Sequence, residues 1–247
     1  MKFIRKHVKL IIFIIICLLI FIIYTRNNKN NINYVSLGDG FSLGIDSYDI
    51  IDYGYSDYIK DYLSSEQLLN KYIKSFSSKE MSIEMLHDCI LLNKNVDLAT
   101  QNINIKESLR EARLITITIG LNDLLYQLSI NNNLTSSKID EIVNRIELSF
   151  DELIKEIRKY YKYDIYVIGY YNVNPSNETL KEAIKQLNRI YQNNEDVIYI
   201  PTYDIFEKNQ NYKSNPNNIY PNRVGYQAIS QEIISKISKK LEKQKNN

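Results

Sequence analysis

The sequence predicts an α/β protein whose parallel sheet is covered by helices on both faces. Three observations carry this reading. Short apolar runs at 33–37, 114–119, 163–169 and 197–200 have the length and residue types of strands. The stretches between them repeat apolar residues at 3–4 spacing, as amphipathic helices do. The first run ends in a Gly-rich turn, YVSLGDGFSLG at 34–44, and open α/β sheets hold their reacting groups at such strand-to-helix turns.

The 247 residues suffice for one such domain with additions. The composition is 44% hydrophobic and 24% charged, ordinary for a globular chain. Net charge is +2, unevenly placed. Lys2, Arg5, Lys6 and Lys9 are basic with no acid among residues 1–9, and the other 27 basic and 29 acidic residues leave the body at −2. A near-neutral body argues against a nucleic-acid partner. The heavy use of Tyr (21) beside no Trp reads as coding bias. Cys17 lies in the apolar N-terminal run and Cys89 in the body, which implies neither a disulfide framework nor a Cys-based metal site.

Residues 10–24, LIIFIIICLLIFIIY, are uninterrupted apolar or aromatic and follow the basic flank 1–9. The run is near the lower limit for a spanning helix. No small-x-small cleavage site follows it, so an uncleaved transmembrane signal anchor over 10–25 is favoured over a cleaved signal. The positive-inside rule then puts the N-terminus in the cytoplasm and the body outside the cell membrane. Residues 26–32 read as a polar linker, and 33–247 as the folded domain.

Within the domain, 33–37 is the first strand. Residues 56–64 begin a helix with Ser56 as N-cap. Residues 68–76 mix a helix end with a short strand over 72–76. A helix spans 82–92, with Ile83, Leu86, Ile90 and Met85 on its inner side. Asn104 and Glu107 stand at capping-box spacing at the head of a helix over 104–113. The strand 114–119 alternates apolar residues with Thr. The clearest helix is 137–160, in which Ile139, Ile142, Val143, Ile146, Phe150, Leu153, Ile154 and Ile157 keep the helical period. Another lies within 177–193, and the last runs over 224–241 with Ile229, Ile233, Ile237 and Leu241 in register.

Three blocks stand at the ends of these elements: GDGFSLG at 38–44, GLND at 120–123 and NPNNIYPNRVGYQAI at 215–229. In order and spacing they resemble the SGNH, or GDSL-type, hydrolase family, over roughly residues 33–243. The resemblance implies a three-layer α/β/α, flavodoxin-like fold. It also implies kinship with esterases, lipases and carbohydrate deacetylases. The family's first block is Gly-Asp-Ser-Leu with Ser as nucleophile. Gly38 and Asp39 match it, but Gly40 holds the nucleophile position. Gly120, Asn122 and Asp123 match the Gly-x-Asn-Asp block, whose Asn donates to the oxyanion. Pro221, Asn222, Gly225 and Tyr226 match the last block. There the His position holds Tyr220, and the Asp position falls on Asn217 or Asn218. The segment 76–86 corresponds to the block whose Gly completes the oxyanion hole, which puts Glu80 in that place.

All three triad positions are thus substituted. Gly40 offers no nucleophile, a phenol titrating near ~10 is no neutral-pH base, and an amide cannot stabilise an imidazolium. His7 and His87 are the only histidines; His7 is in the basic flank and His87 in a helical stretch. Ser42, two residues past the nucleophile position, reads as a turn or capping residue rather than a shifted nucleophile. What could remain is a binding pocket of Gly40, Asn122 and Glu80, with Gly38, Asp39, Gly120, Asp123, Pro221 and Gly225 as scaffold. Asn122 has a competing role in capping the next helix. Tyr53, Tyr55, Tyr58, Tyr62, Tyr170, Tyr171, Tyr220 and Tyr226 could line a sugar-stacking cleft or simply fill half-buried positions.

The expectation is a membrane-anchored, extracytoplasmic, catalytically impaired pseudo-esterase. Its ligand would be a cell-envelope glycan, an acylated ligand or a protein partner. The alternatives are an active acyl-ester hydrolase with a rearranged site and a structural envelope protein. No cofactor or metal is expected, since the Gly-rich turn has neither nucleotide-binding spacing.

Overall fold

The computed structural model describes residues 13–20, 32–98, 101–131 and 134–245. Residues 13–20 are helical (α1) and exposed. The rest of the expected anchor over 10–25 lies outside the described residues, as do the flank 1–9 and the linker up to residue 31. Among the described residues no helix is long and apolar enough to cross a membrane.

The domain is wound around five parallel strands: β1 (Ile32–Gly38), β2 (Leu69–Ile73), β5 (Leu114–Thr118), β6 (Ile165–Ile168) and β7 (Val197–Ile200). They lie in the order β2-β1-β5-β6-β7, so the winding reverses at β1. In register, Leu37 stands opposite Ile117 and Ile115 opposite Ile165. Parallel strands with both faces covered read as continuous apolar runs, and LITIT of β5 is buried at every position. Its two threonines, expected on a face of their own, are buried as well. Thr116 shares a hydroxyl contact with Tyr34 at 2.8 Å, which satisfies both groups.

The helices are α2 (Gly40–Leu43), α3 (Tyr55–Ser65), α4 (Ile83–Leu91), α5 (Ile105–Glu111), α6 (Leu121–Ile130), α7 (Ser136–Arg158), α8 (Glu178–Asn193), α9 (Tyr203–Glu207) and α10 (Arg223–Lys245). Helix α3 packs on α10, while α4, α7 and α8 pack in succession with α6 against α7. Helix α7 starts where Thr135 accepts from the Lys138 amide, and it buries all eight residues of its predicted stripe. Three local readings need correction. Helix α3 is capped at Gly54 and not Ser56, because the Asp57 carboxylate reaches back to the Gly54 amide at 3.0 Å and draws the helix start forward. Strand β2 overlaps the expected 72–76 only at Tyr72 and Ile73 and begins at Leu69, because Ile32 and Asn33 of β1 pair with Leu69 and Lys71. Met85 faces solvent, on the opposite side of α4 from Leu86 and Ile90. A small antiparallel hairpin, β3 (Asn95–Leu98) with β4 (Gln101–Asn104), is an element the sequence pattern did not reveal.

Candidate functional site

The site gathers at the carboxyl ends of β1 and β5, where the sheet order reverses. Gly38 ends β1 with φ +115, and a Cβ there would lie 1.8 Å from the Thr118 carbonyl oxygen. Only glycine permits that close approach. Asp39 follows as the N-cap of α2, accepting from the Phe41 amide at 3.1 Å. It also accepts from the Thr118 hydroxyl at 2.7 Å and from the Tyr170 hydroxyl. Burial lifts the Asp39 carboxyl to about 6, and those three donors hold it from rising further. Thr118 was not singled out from the sequence, and Tyr170 was named there only as a candidate for the sugar-stacking cleft, not as a partner of Asp39. The signal available was their position, at or just past the ends of β5 and β6.

Gly40 lies beneath Tyr220. A Cβ on Gly40 would stand 2.3 Å from the Tyr220 hydroxyl oxygen and 2.6 Å from its Cζ. The phenol therefore occupies the volume into which a side chain at position 40 would project. Its ring packs on Phe41 at 5.1 Å between centroids, and the residue is 3% exposed. Burial, with Asp39, Glu80 and Asp49 nearby, pushes the Tyr220 phenol well above its ordinary range, so it stays protonated and uncharged at neutral pH. The loop carrying it is fixed from within. Asn218 accepts from the Tyr220 amide at 2.9 Å, Ser47 donates to the Tyr220 carbonyl at 2.9 Å, and Tyr171 donates to the Ile219 carbonyl. Asn222 then caps α10 by accepting from the Gly225 amide at 3.0 Å. Gly225 has no room for a side chain, since a Cβ would meet the Tyr212 carbonyl and Pro221.

Asn122 neither caps α6 nor points a free N–H at the site. Its side-chain amide donates to the Lys79 and Met81 carbonyls, both at 2.9 Å. Both amide hydrogens are thereby spent on the β2–α4 loop. Asp123 accepts from the Ile83 amide at 3.2 Å and so serves the start of α4. Gly120, the N-cap of α6, has φ +103 and lies against the Tyr191 hydroxyl. Glu80 is exposed on the same loop.

Beside these residues runs an open groove of about 930 Å³, lined among others by Glu80, Asn122, Asp123, Asn217, Asn218 and Tyr220. Gly40 does not line it, because Tyr220 lies between. One rim is a bridge not foreseen from sequence. Asp49, held at φ +65, pairs with Lys79 at 2.8 Å. The pair joins the loop after α2 to the loop before α4. Asn217 and Asn218 flank the Tyr220 side of the groove, and neither has a histidine to orient.

Ser42 is fully buried. It donates to the Leu37 carbonyl and lies within hydrogen-bond distance of the Tyr55 hydroxyl (2.9 Å) and the Thr118 hydroxyl (2.7 Å). It therefore braces the turn and does not reach the groove. His87 is on α4 and does not line the groove. The sugar-stacking cleft of tyrosines does not form. Tyr55, Tyr170, Tyr171 and Tyr226 are fully buried, packed around Phe41 or bonded inward, as Tyr226 is to the Ile45 carbonyl. Among the described residues no group of three or more His, Cys, Asp or Glu could hold a metal ion.

Comparison with known proteins bears on these positions. The profile of the GDSL-like Lipase/Acylhydrolase family matches residues 34–233. The spore germination lipase of Bacillus licheniformis is 23% identical over 211 residues, covering 82% of this chain and 94% of its own. Among solved structures, a lipase from a goat rumen metagenome superposes with a TM-score of 0.67 at 22% identity, over 82% of this chain and 95% of its own. A catalytic mutant of an acetylxylan esterase from Geobacillus stearothermophilus superposes with a TM-score of 0.60 at 14% identity, over 84% and 94%. At these identities the structural likeness speaks for the fold.

Proposed function

The chain belongs to the GDSL-like lipase/acylhydrolase family, and from that premise we propose that it keeps the fold, has lost the hydrolysis, and acts by binding a ligand in the groove beside Tyr220. The observation that carries this reading is the Tyr220 phenol standing 2.3 Å from where a Cβ of residue 40 would be. Acyl transfer needs an oxygen nucleophile, a base for its proton and donors for the oxyanion. Position 40 has no side chain, the phenol above it is held protonated, and the Asn122 amide hydrogens are already engaged. What is left is a shaped groove with polar walls. The basic flank 1–9 before the apolar run 10–25 supports a membrane anchor with the domain on the extracytoplasmic side. A cell-envelope glycan, an acylated ligand or a protein partner is then within reach.

The test is turnover of p-nitrophenyl acetate and butyrate by the full-length protein in detergent micelles. The expected rate equals that of micelles alone. Turnover that Tyr220→Phe abolishes would overturn the binding reading. Protease treatment of intact cells, expected to degrade the domain without lysis, tests its placement outside.

A further inference from the structure

We propose that the groove takes a cationic, hydroxyl-rich ligand, an amino-sugar chain with free ammonium groups, held by Glu80, Glu84 and the Tyr220 hydroxyl. This rests on the binding reading and adds the chemistry of the ligand. Four acids line the groove, Asp49, Glu80, Glu84 and Asp123, against two cations, Lys79 and Arg145. Lys79 is paired with Asp49 at 2.8 Å, while Arg145 makes only long contacts, with Glu141 at 3.8 Å and Gln127 at 3.4 Å, so the groove keeps a surplus of two acids. Asp123 is occupied by the Ile83 amide. Glu80 and Glu84 are exposed and join no ion pair among the described residues.

A second observation is independent of that charge. Tyr220 is 97% removed from solvent (3% exposed), yet it lines the groove, and its hydroxyl bonds to no described residue. That hydroxyl is not among the buried unpartnered polar atoms, so it opens to solvent and is free to bond a molecule in the groove. Asn122 adds a further acceptor, since only its NH₂ is used within the protein.

The charged groups left without an ion pair are both carboxylates, Glu80 and Glu84, beside neutral hydroxyl and amide groups. They suit a ligand that brings donors, namely hydroxyls and ammonium. An anionic chain would set like charges together, and a plain acyl ester would leave the carboxylates unpaired. Tyr126, 62% exposed on the groove wall, offers a ring with a polar edge to a pyranose face. That ring favours a sugar over a flexible cationic peptide.

The experiment is calorimetric titration of the full-length protein in micelles with hexamers of glucosamine, N-acetylglucosamine, galacturonic acid and lysine. The glucosamine hexamer is expected to bind, about tenfold more tightly than its acetylated form, and to weaken as sodium chloride is raised. The E80Q/E84Q variant should bind both sugars alike with an unchanged melting temperature, and Tyr220→Phe should weaken the glucosamine hexamer. Equal binding of the acetylated hexamer, tighter binding of galacturonate, equal binding of hexalysine or no binding at all overturns the proposal. In the first three outcomes the binding reading stands. Ester turnover in the separate assay is what overturns that reading.

Discussion

Gly40 and Tyr220 fit each other as a space and its filling: the ring atoms Cζ and Cε1 of Tyr220 lie 2.6 and 2.7 Å from where a Cβ on Gly40 would be. The two positions are 180 residues apart in sequence, so their meeting ties the turn after β1 to the loop before α10. A side chain at 40 would force the Tyr220 ring to shift, and the ring sits where it does because position 40 is glycine.

Gly40→Ser alone should therefore destabilise the protein by about 1–3 kcal/mol through overpacking. Adding Tyr220→Ala should recover part of that loss. Urea unfolding of the two single variants and the double variant measures the coupling, and strictly additive losses would show that the residues do not compete for one volume.

Ser42→Ala should cost about 1–3 kcal/mol, since the Tyr55 and Thr118 hydroxyls would lose a buried partner. It should leave ester turnover at background. Turnover that vanishes with Ser42 would instead mark it as a nucleophile.

Asn122→Ala should release the loop at 79–81 by removing two hydrogen bonds, at about 1–2 kcal/mol in all. Faster amide exchange confined to the β2–α4 loop is the expected signature. Unchanged protection there would mean that those bonds are not formed in solution.

Asp39 gives the protein a pH dependence of known sign. Its folded-state carboxyl titrates at about 6, above the ordinary 3.8, so the folded state holds a proton that the unfolded state has released. The associated stability is complete below about pH 4 and is lost as pH rises through about 6, with an upper bound of roughly 3 kcal/mol. Melting temperatures across pH 4–7 should fall more steeply for the wild type than for Asp39→Asn. Parallel curves would assign the slope to other groups.

The order of strands and helices could be read from the sequence because β1, β5 and α7 carry strong periodic signals in long buried runs. The hairpin β3–β4 could not, since NVDL alternates over only four residues and QNIN carries a single apolar residue. The proposal that the triad is lost rests on single letters at 40, 217, 218 and 220. The packing around those positions was not legible. That Tyr220 turns inward over Gly40, and that Asn122 is bound to its own loop, depends on contacts between segments distant in the chain. The tyrosines show the same limit from the other side. Composition cannot separate a ring on a groove wall, such as Tyr126, from a ring in the core, such as Tyr170.

Because every strand of the main sheet runs the same way, the domain has a polarity along its strands. The groove opens where the strands end, and the chain enters β1 at Ile32, where they begin. Seven residues of strand put about 23 Å between those two levels. The point at which the chain enters the sheet and the groove therefore stand at opposite ends of the strands.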